Sequence, residues 1–214
     1  MADIFEFRGV DNLVYAEVTK DDNETSGGYV TGEVKTLSPV ATIAKSTDSS
    51  NEAHYYDNNP MIVVSSEAAD ELTLTVAPPS LEVLAEITGK SFDPDTGMMV
   101  DGERVVKYFA IGYRTKGTDG KYRYVWRLKG TFGIPDEQND TENDGTDTTN
   151  TELTFTGIAT THKFTKGKYN STTKAWEKAQ VKGVIVDERF DKADLSTFFN
   201  SVQTPDTVTA KSTG

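Results

Sequence analysis

Hydrophobic and polar positions alternate most regularly from Tyr122 to Lys129, where Tyr122, Tyr124, Trp126 and Leu128 fall on one face and Arg123, Val125, Arg127 and Lys129 on the other. A period of two with large apolar residues on one side is that of a strand half-buried against a core. Just upstream, Val105 to Tyr113 is apolar on both faces apart from Lys107, which suits a strand in the middle of a sheet. Asp119-Gly120 between them supplies the positive φ of a tight reversal. Arg104 to Phe132 is therefore expected to form an antiparallel hairpin on which the rest of the chain packs.

From the start of the chain, Leu13-Val14-Tyr15-Ala16 reads as a short strand after the turn signals Gly9 and Asp11-Asn12. Asp21 to Gly28 holds only turn-forming and charged residues, too little apolar surface to order itself, which predicts a loop or an arm. Strand character returns from Tyr29 to Ile43, interrupted at Pro39, whose missing donor belongs at an edge, a bend or a bulge. Ser46 to Asn51 reads as polar loop. His54 to Pro60 sets two tyrosines before a turn signal, and the apolar run Met61 to Val64 follows. Leu72, Leu74 and Val76 alternate with Thr73, Thr75 and Ala77 as a strand. Pro79-Ser80 then opens a helix in which Leu81, Leu84, Ala85 and Thr88 recur at helical spacing and Gly89 is the stop. Asp93 to Gly97 makes a tight turn toward the central hairpin.

Beyond the hairpin, Asp136 to Glu152 carries seven acids and no base, the composition of a long solvated loop. Leu153, Phe155 and Gly157 resume a strand. The charge then reverses: Thr161 to Lys182 has six lysines against the single Glu177. Val184-Ile185-Val186 reads as one more strand. Asp191 or Asp194 is placed to cap a last helix with Leu195, Phe198, Phe199 and Val202 on one face, ended by Pro205. The 214 residues are expected to form a single mainly β domain, residues 1–214, with polar arms at 21–28 and 136–152 and a C-terminal helix plus tail over 191–214.

Composition narrows the chemistry. The net charge of −12 and pI near 4.6 oppose non-specific adhesion to phosphate backbones. No apolar run is long enough for a helical membrane span, and the opening MADIFEF lacks the basic-then-apolar layout of a secretory signal. Without cysteine there is no disulfide, thiolate nucleophile or thiolate metal site. His54 and His162 are the only histidines, too few for a histidine metal cluster, and no Gly-x-Ser-x-Gly elbow supports a catalytic triad. No phosphate-cradling glycine loop is present. The sequence thus nominates no catalytic, cofactor-binding or metal-ligating residue, and no enzyme activity is expected. Two weaker signals remain. Asp140, Glu142 and Asp144 followed by Gly145 match the first part of a calcium loop, but Thr151 stands where a bidentate Glu is needed and Glu152 comes one residue late. Tyr55-Tyr56 and the ladder Tyr122, Tyr124, Trp126 suit a sugar-stacking platform, although aromatics at strand period more often serve a core or a subunit contact. The sequons at Asn23, Asn139 and Asn170 carry no weight without a secretory signal.

The order and spacing of five blocks add a resemblance. GVDNLVYAEV (Gly9 to Val18), HYYDNNP (His54 to Pro60), ELTLTVA (Glu71 to Ala77), YFAIGYRTKGTDGKYRYVWRLKGTF (Tyr108 to Phe132) and TNTELTFTGIA (Thr149 to Ala159) together resemble the major tail protein family. These are the tail tube subunits of long-tailed, non-contractile bacteriophages, or related prophages, of Gram-positive hosts. The resemblance covers roughly Phe5 to Ile185 and does not extend past Phe190. It implies a β-sandwich or barrel-like tail tube fold with one or two short helices and long loops. It further implies subunits that close into hexameric rings and stack into a tube around the tape measure protein, between tail tip and tail terminator proteins. The genome would later pass through that tube without specific binding. The protein would be made in the host cytoplasm and reside in the virion, with no cofactor and no membrane contact. The alternative from the residues alone is a β-sandwich module that binds carbohydrate or calcium. On the tail tube reading, the two polar arms are expected to order at subunit contacts, the acidic and basic segments to meet across such a contact, and the channel wall to be neutral or acidic.

Overall fold

In a computed structural model the described residues are 4–23, 27–136 and 150–211, with 55, 56, 60 and 63–65 described in backbone alone. The protein is mainly β, built on one large antiparallel sheet. In chain order the strands are β1 (Phe7–Asp21), β2 (Tyr29–Thr31), β3 (Lys35–Thr36), β4 (Val40–Tyr56) and β5 (Asn59–Val76), followed by helix α1 (Leu81–Thr88). Then come β6 (Ser91–Asp93), β7 (Met98–Val100), β8 (Phe109–Gly117), β9 (Tyr122–Phe132), β10 (Thr151–Gly157), β11 (Phe164–Asn170), β12 (Ala175–Ala179) and β13 (Gly183–Asp187), with a single 3-10 turn at Glu188–Phe190.

The main path runs β2-β1-β8-β9-β10-β5-β4, with every pairing antiparallel. It closes on itself. β3 pairs with β1, Leu37 N–H donates to the Leu13 carbonyl (3.1 Å), and three residues later Val40 pairs with Val76 of β5. The chain from 35 to 40 thus joins the first strand of the barrel to the last, with Pro39 at the junction as its missing donor requires. The closed sheet encloses Leu13, Tyr15, Leu72, Leu74, Val76, Phe109, Ile111, Leu153 and Phe155. Helix α1 lies against this interior through Ile87, Val83 and Leu84. Ser80 caps it by accepting from Val83 N–H (3.3 Å), and Gly89 at φ 71° ends it. Tyr15 hydroxyl donates to Glu86 (2.7 Å), which also accepts from Lys35 (2.9 Å), so the helix is fastened to the strand junction that closes the sheet.

A second core lies on the outer face of β9. One extra residue in β9, where Phe109 faces Gly130 but Ile111 faces Arg127, makes a bulge that reverses the pleat. Trp126 and Leu128 consequently point outward while Phe132 points in. Trp126 lies across Gly112, its direct partner, where a Cβ would come within 2.9 Å of the indole. The C-terminal segment covers it with Phe198, Phe199 and Val202, and the indole N–H donates to the Phe198 carbonyl (3.1 Å).

Four expectations change. The strand expected at Val105 to Tyr113 begins at Phe109, because Val105 N–H donates to the Gly89 carbonyl at the helix end (2.9 Å) and Val105 and Val106 stay exposed. Ser46 to Asn51 is strand, paired with Glu71 through Ser65, since a polar composition marks a ribbon wet on both faces as well as a loop. Asp21 belongs to β1 and is buried, so the polar arm expected at 21–28 starts after it, and residues 24–26 lie outside the described residues, as do 137–149. The C-terminal helix is absent among the described residues: 196–200 form i to i−3 turns, with Asp194 accepting from Ser196 N–H (3.0 Å). The apolar face foreseen there is nevertheless the one buried, because contact with Trp126 rather than helical periodicity selects those side chains.

The two tryptophans therefore separate core from surface. Trp126→Ala is expected to cost about 3–5 kcal/mol, whereas Trp176→Ala, at an indole 53% exposed, should cost no more than about 0.5 kcal/mol. Urea unfolding of both variants measures the difference, and equal losses would remove Trp126 from the core.

Candidate functional site

At one mouth of the barrel β5 continues the inward parity of Leu72, Leu74 and Val76 to Asp70, which is 1% exposed. Arg127 of β9 (3.1 Å), Lys182 just before β13 (3.1 Å) and Lys45 of β4 (3.4 Å) converge on its carboxylate, and Thr47 hydroxyl donates to it (2.7 Å). Burial opposes its ionisation, but the hydrogen bonds from Thr47 and Lys182 and the charges of Arg127 and Lys45 outweigh that, holding the carboxyl below its usual value. Lys182 also reaches Glu67 (2.7 Å) and the Ala68 carbonyl (2.5 Å). The cluster is a joint: it locks the root of the β4–β5 hairpin to the barrel and to the entry of β13.

A second joint forms at the end of β1. Asp21 accepts from Lys129 (2.6 Å) and from the backbone amides of Thr161 (2.7 Å) and His162 (2.8 Å). Desolvation again works against its charge and is overcome by those three donors, so its carboxyl too is held below the usual value. A third joins Arg189 to Asp119 (2.8 Å) and Asp187 (2.9 Å), with its guanidinium 3.5 Å from the centre of the Phe5 ring.

None of these places a nucleophile beside a base. His162 sits behind Phe164 with Nδ1 3.0 Å from the Asp22 carbonyl, while His54 lies exposed on β4. Among the described residues no three histidine or carboxylate side chains are grouped to hold a metal. Asp140, Glu142, Asp144 and Gly145 lie outside the described residues, and Thr151 and Glu152 open β10, paired with Val76 and Thr75. The aromatic ladder of β9 is closed over: Trp126 is fully buried, Tyr124 packs edge-on against Phe198 (5.3 Å), and Arg114 covers Tyr122 (4.3 Å). It offers no open platform for a sugar. The side chains of Tyr55 and Tyr56 lie outside the described residues.

Among the described residues the fold also leaves unpaired strand edges and apolar side chains on its surface. Beyond the Asp70 joint, β4 and β5 run on as a two-stranded arm to a reversal at Asp57-Asn58, whose positive φ values (50° and 65°) are those of a type I′ turn. Most described residues of the arm are exposed, Met61 and Ile62 included. β11 and β12 form a second ribbon, paired with each other and, among the described residues, with no other strand. Its base is anchored by buried Phe164 and by Asp206, which accepts from the amides of Thr165 (2.9 Å) and Lys166 (2.8 Å). Tyr169 and Trp176 face each other across it at 5.2 Å, both half exposed. Between this ribbon and β13 lies an apolar cleft of about 370 Å³, and a second of about 510 Å³ opens beside Ile185 and Phe190. β13 itself pairs with β9 on one side and, among the described residues, with no strand on the other. The arm escaped sequence reading as a whole, although the turn at Asp57-Asn58 followed by an apolar run was a signal for it. No model of a known protein family matches the chain, and no curated protein matches it significantly.

The Asp70 joint should govern acid stability. Its folded-state pKa lies below the unfolded value of about 3.9. Its contribution is therefore complete above about pH 4 and is withdrawn as pH falls through the folded-state value. Asp70→Asn is expected to cost about 3 kcal/mol at neutral pH by leaving its cations without their anion, and to flatten the acid limb of the stability curve. Urea unfolding at neutral and acid pH checks both; an unchanged acid limb would show that the joint carries no such linkage.

Proposed function

We propose that this protein is a self-assembling structural subunit and, from the resemblance of its ordered sequence blocks, the tail tube protein of a long-tailed, non-contractile phage or prophage. In that reading subunits close into hexameric rings that stack around the tape measure protein, between tail tip and terminator, and later pass the genome. One observation carries it. A barrel that satisfies its own ladder nevertheless extends two ribbons and a free strand edge that leave Met61, Ile62, Tyr169, Trp176 and Ile185 at least half exposed, apolar surface that the monomer does not bury. Elements of that kind gain their stability from a neighbour.

Sedimentation velocity and negative-stain electron microscopy over a range of concentrations test the reading. Annular or tubular particles far above the 23.5 kDa chain mass are expected. A species that stays monomeric at every concentration and ionic strength would overturn it.

A channel that passes DNA must not hold it, because every wall cation that neutralises a phosphate adds a salt-dependent attraction. The chain's −12 charge favours such a wall, provided that the lysines of the β11–β12 ribbon are engaged in contacts within the assembly. Assembled particles should leave double-stranded DNA unretarded in a low-salt gel shift. Retardation that weakens steeply with added salt would mean that a basic surface faces the DNA.

A further inference from the structure

The two ribbons are opposite in charge. Residues 46–69 of the arm contain Asp48, Glu52, Asp57 and Glu67 and no lysine or arginine, and the first three of those acids are exposed. The β11–β12 ribbon, with Lys163 just before it, carries exposed Lys166, Lys168, Lys174 and Lys178 against Glu177, whose carboxylate accepts from Asn170 (2.7 Å). Each ribbon also has its own apolar element. Near the tip of the arm Met61 is 64% exposed and Ile62 51%. At the flank of the lysine ribbon lies the 370 Å³ cleft, walled by Trp176, Val181, Val184, Ile185 and Val208, with Lys166 at its rim.

We propose that the tip of the arm of one copy seats in the cleft between the β11–β12 ribbon and β13 of a second copy, with Met61 and Ile62 as apolar anchors and the acids of the arm against the lysines. The proposal rests on the self-assembly reading above and names the surfaces through which assembly proceeds. An arm cannot fill the cleft of its own chain. Lys182, which leads into β13 beside the cleft, is bonded to Glu67 and Asp70 at the arm's root. From Asp70 to the turn at Asn58 the hairpin runs about twelve residues, roughly 40 Å when extended. Its tip is therefore carried away from the cleft that its root adjoins. A second copy supplies the matching half, with apolar side chains entering an aromatic-walled cleft inside a charged rim, the arrangement in which a few buried residues dominate an interface. Complementary fields on the two ribbons would fix orientation and speed encounter. The arm and this cleft are different surfaces of the same chain, so the contact is heterologous: it propagates from copy to copy, closing as a ring or running on as a filament.

The chain has no cysteine, so single thiols report this contact without background. Ile62→Cys places one near the arm tip and Ile185→Cys one in the cleft, both at exposed positions. Mixed in equal amounts, the two thiols are oxidised to one disulfide as dissolved oxygen takes up their two electrons and two protons. The mixture should crosslink at least about fivefold faster than either variant alone, because the contact raises the local thiol concentration. That rate should fall in 1 M salt, where the screening length is about 3 Å. Asp57→Lys in the arm-thiol chain should slow it, and Lys174→Glu in the cleft-thiol chain should restore it. Equal rates in the mixture and the single variants would overturn the arm-in-cleft contact, as would fastest crosslinking of Ile185→Cys with itself, which would mean two β13 edges pairing symmetrically. Sedimentation of the cysteine-free chain, run alongside, separates the two levels. Large particles without the mixed crosslink overturn this contact and leave self-assembly standing; a persistent monomer without it overturns both.

Discussion

Closure of the main sheet is the constraint on which the other elements depend. An antiparallel sheet leaves two open edges unless its last strand meets its first, and here the chain from 35 to 40 makes that meeting. Because Lys35 and Leu37 serve β1 while Val40 serves β5, the interior is sealed by one short crossing. Helix α1 then has a fixed surface to cover, and Glu86 ties it to that crossing through Lys35 and Tyr15. The bulge in β9 follows from the same geometry. A strand that closes a barrel at one end and carries Trp126 outward at the other must change pleat between them.

With the interior closed, the remaining parts divide into a second core and a set of projections. The C-terminal segment has no regular structure of its own, and its position is determined by the indole it covers and by the Phe198 carbonyl that receives the indole N–H. The arm and the lysine ribbon are instead held only at their roots, by Asp70 and Asp206 respectively. At the arm's root the buried Asp70 carboxylate converts a flexible attachment into a directed one, since a charge removed from water tolerates few geometries, while the exposed Asp206 fixes the ribbon by accepting from two backbone amides.

The sequence disclosed what periodicity can encode. Leu72, Leu74 and Val76, the Tyr122 to Leu128 alternation, the Asp119-Gly120 reversal and the Ser80 and Gly89 caps all stand where their patterns put them. It hid what depends on distant partners. Val105 and Val106 look like central strand residues, yet the helix end captures the backbone there, a contact no local pattern announces. The polar stretch from Ser46 to Asn51 resembles a loop because a ribbon exposed on both faces has no reason to alternate. The last turns carry helical spacing without a helix, because Trp126, some seventy residues away, chooses the buried side chains. The joints at Asp70 and Asp21 were invisible for the same reason: among 34 acids nothing local marks these two, whose side chains are 2% and 5% exposed.

The pairing of β1 with β8 has a consequence during synthesis. The principal neighbour of the strand Phe7 to Asp21, Phe109 to Gly117, is made almost ninety residues after it. At translation speeds of about 5–20 residues per second, that strand waits roughly five to twenty seconds without its partner. The β4–β5 arm, a local hairpin with a two-residue turn, can form within microseconds of emerging. The two strands of the arm can thus meet in the nascent chain before the barrel that holds them exists.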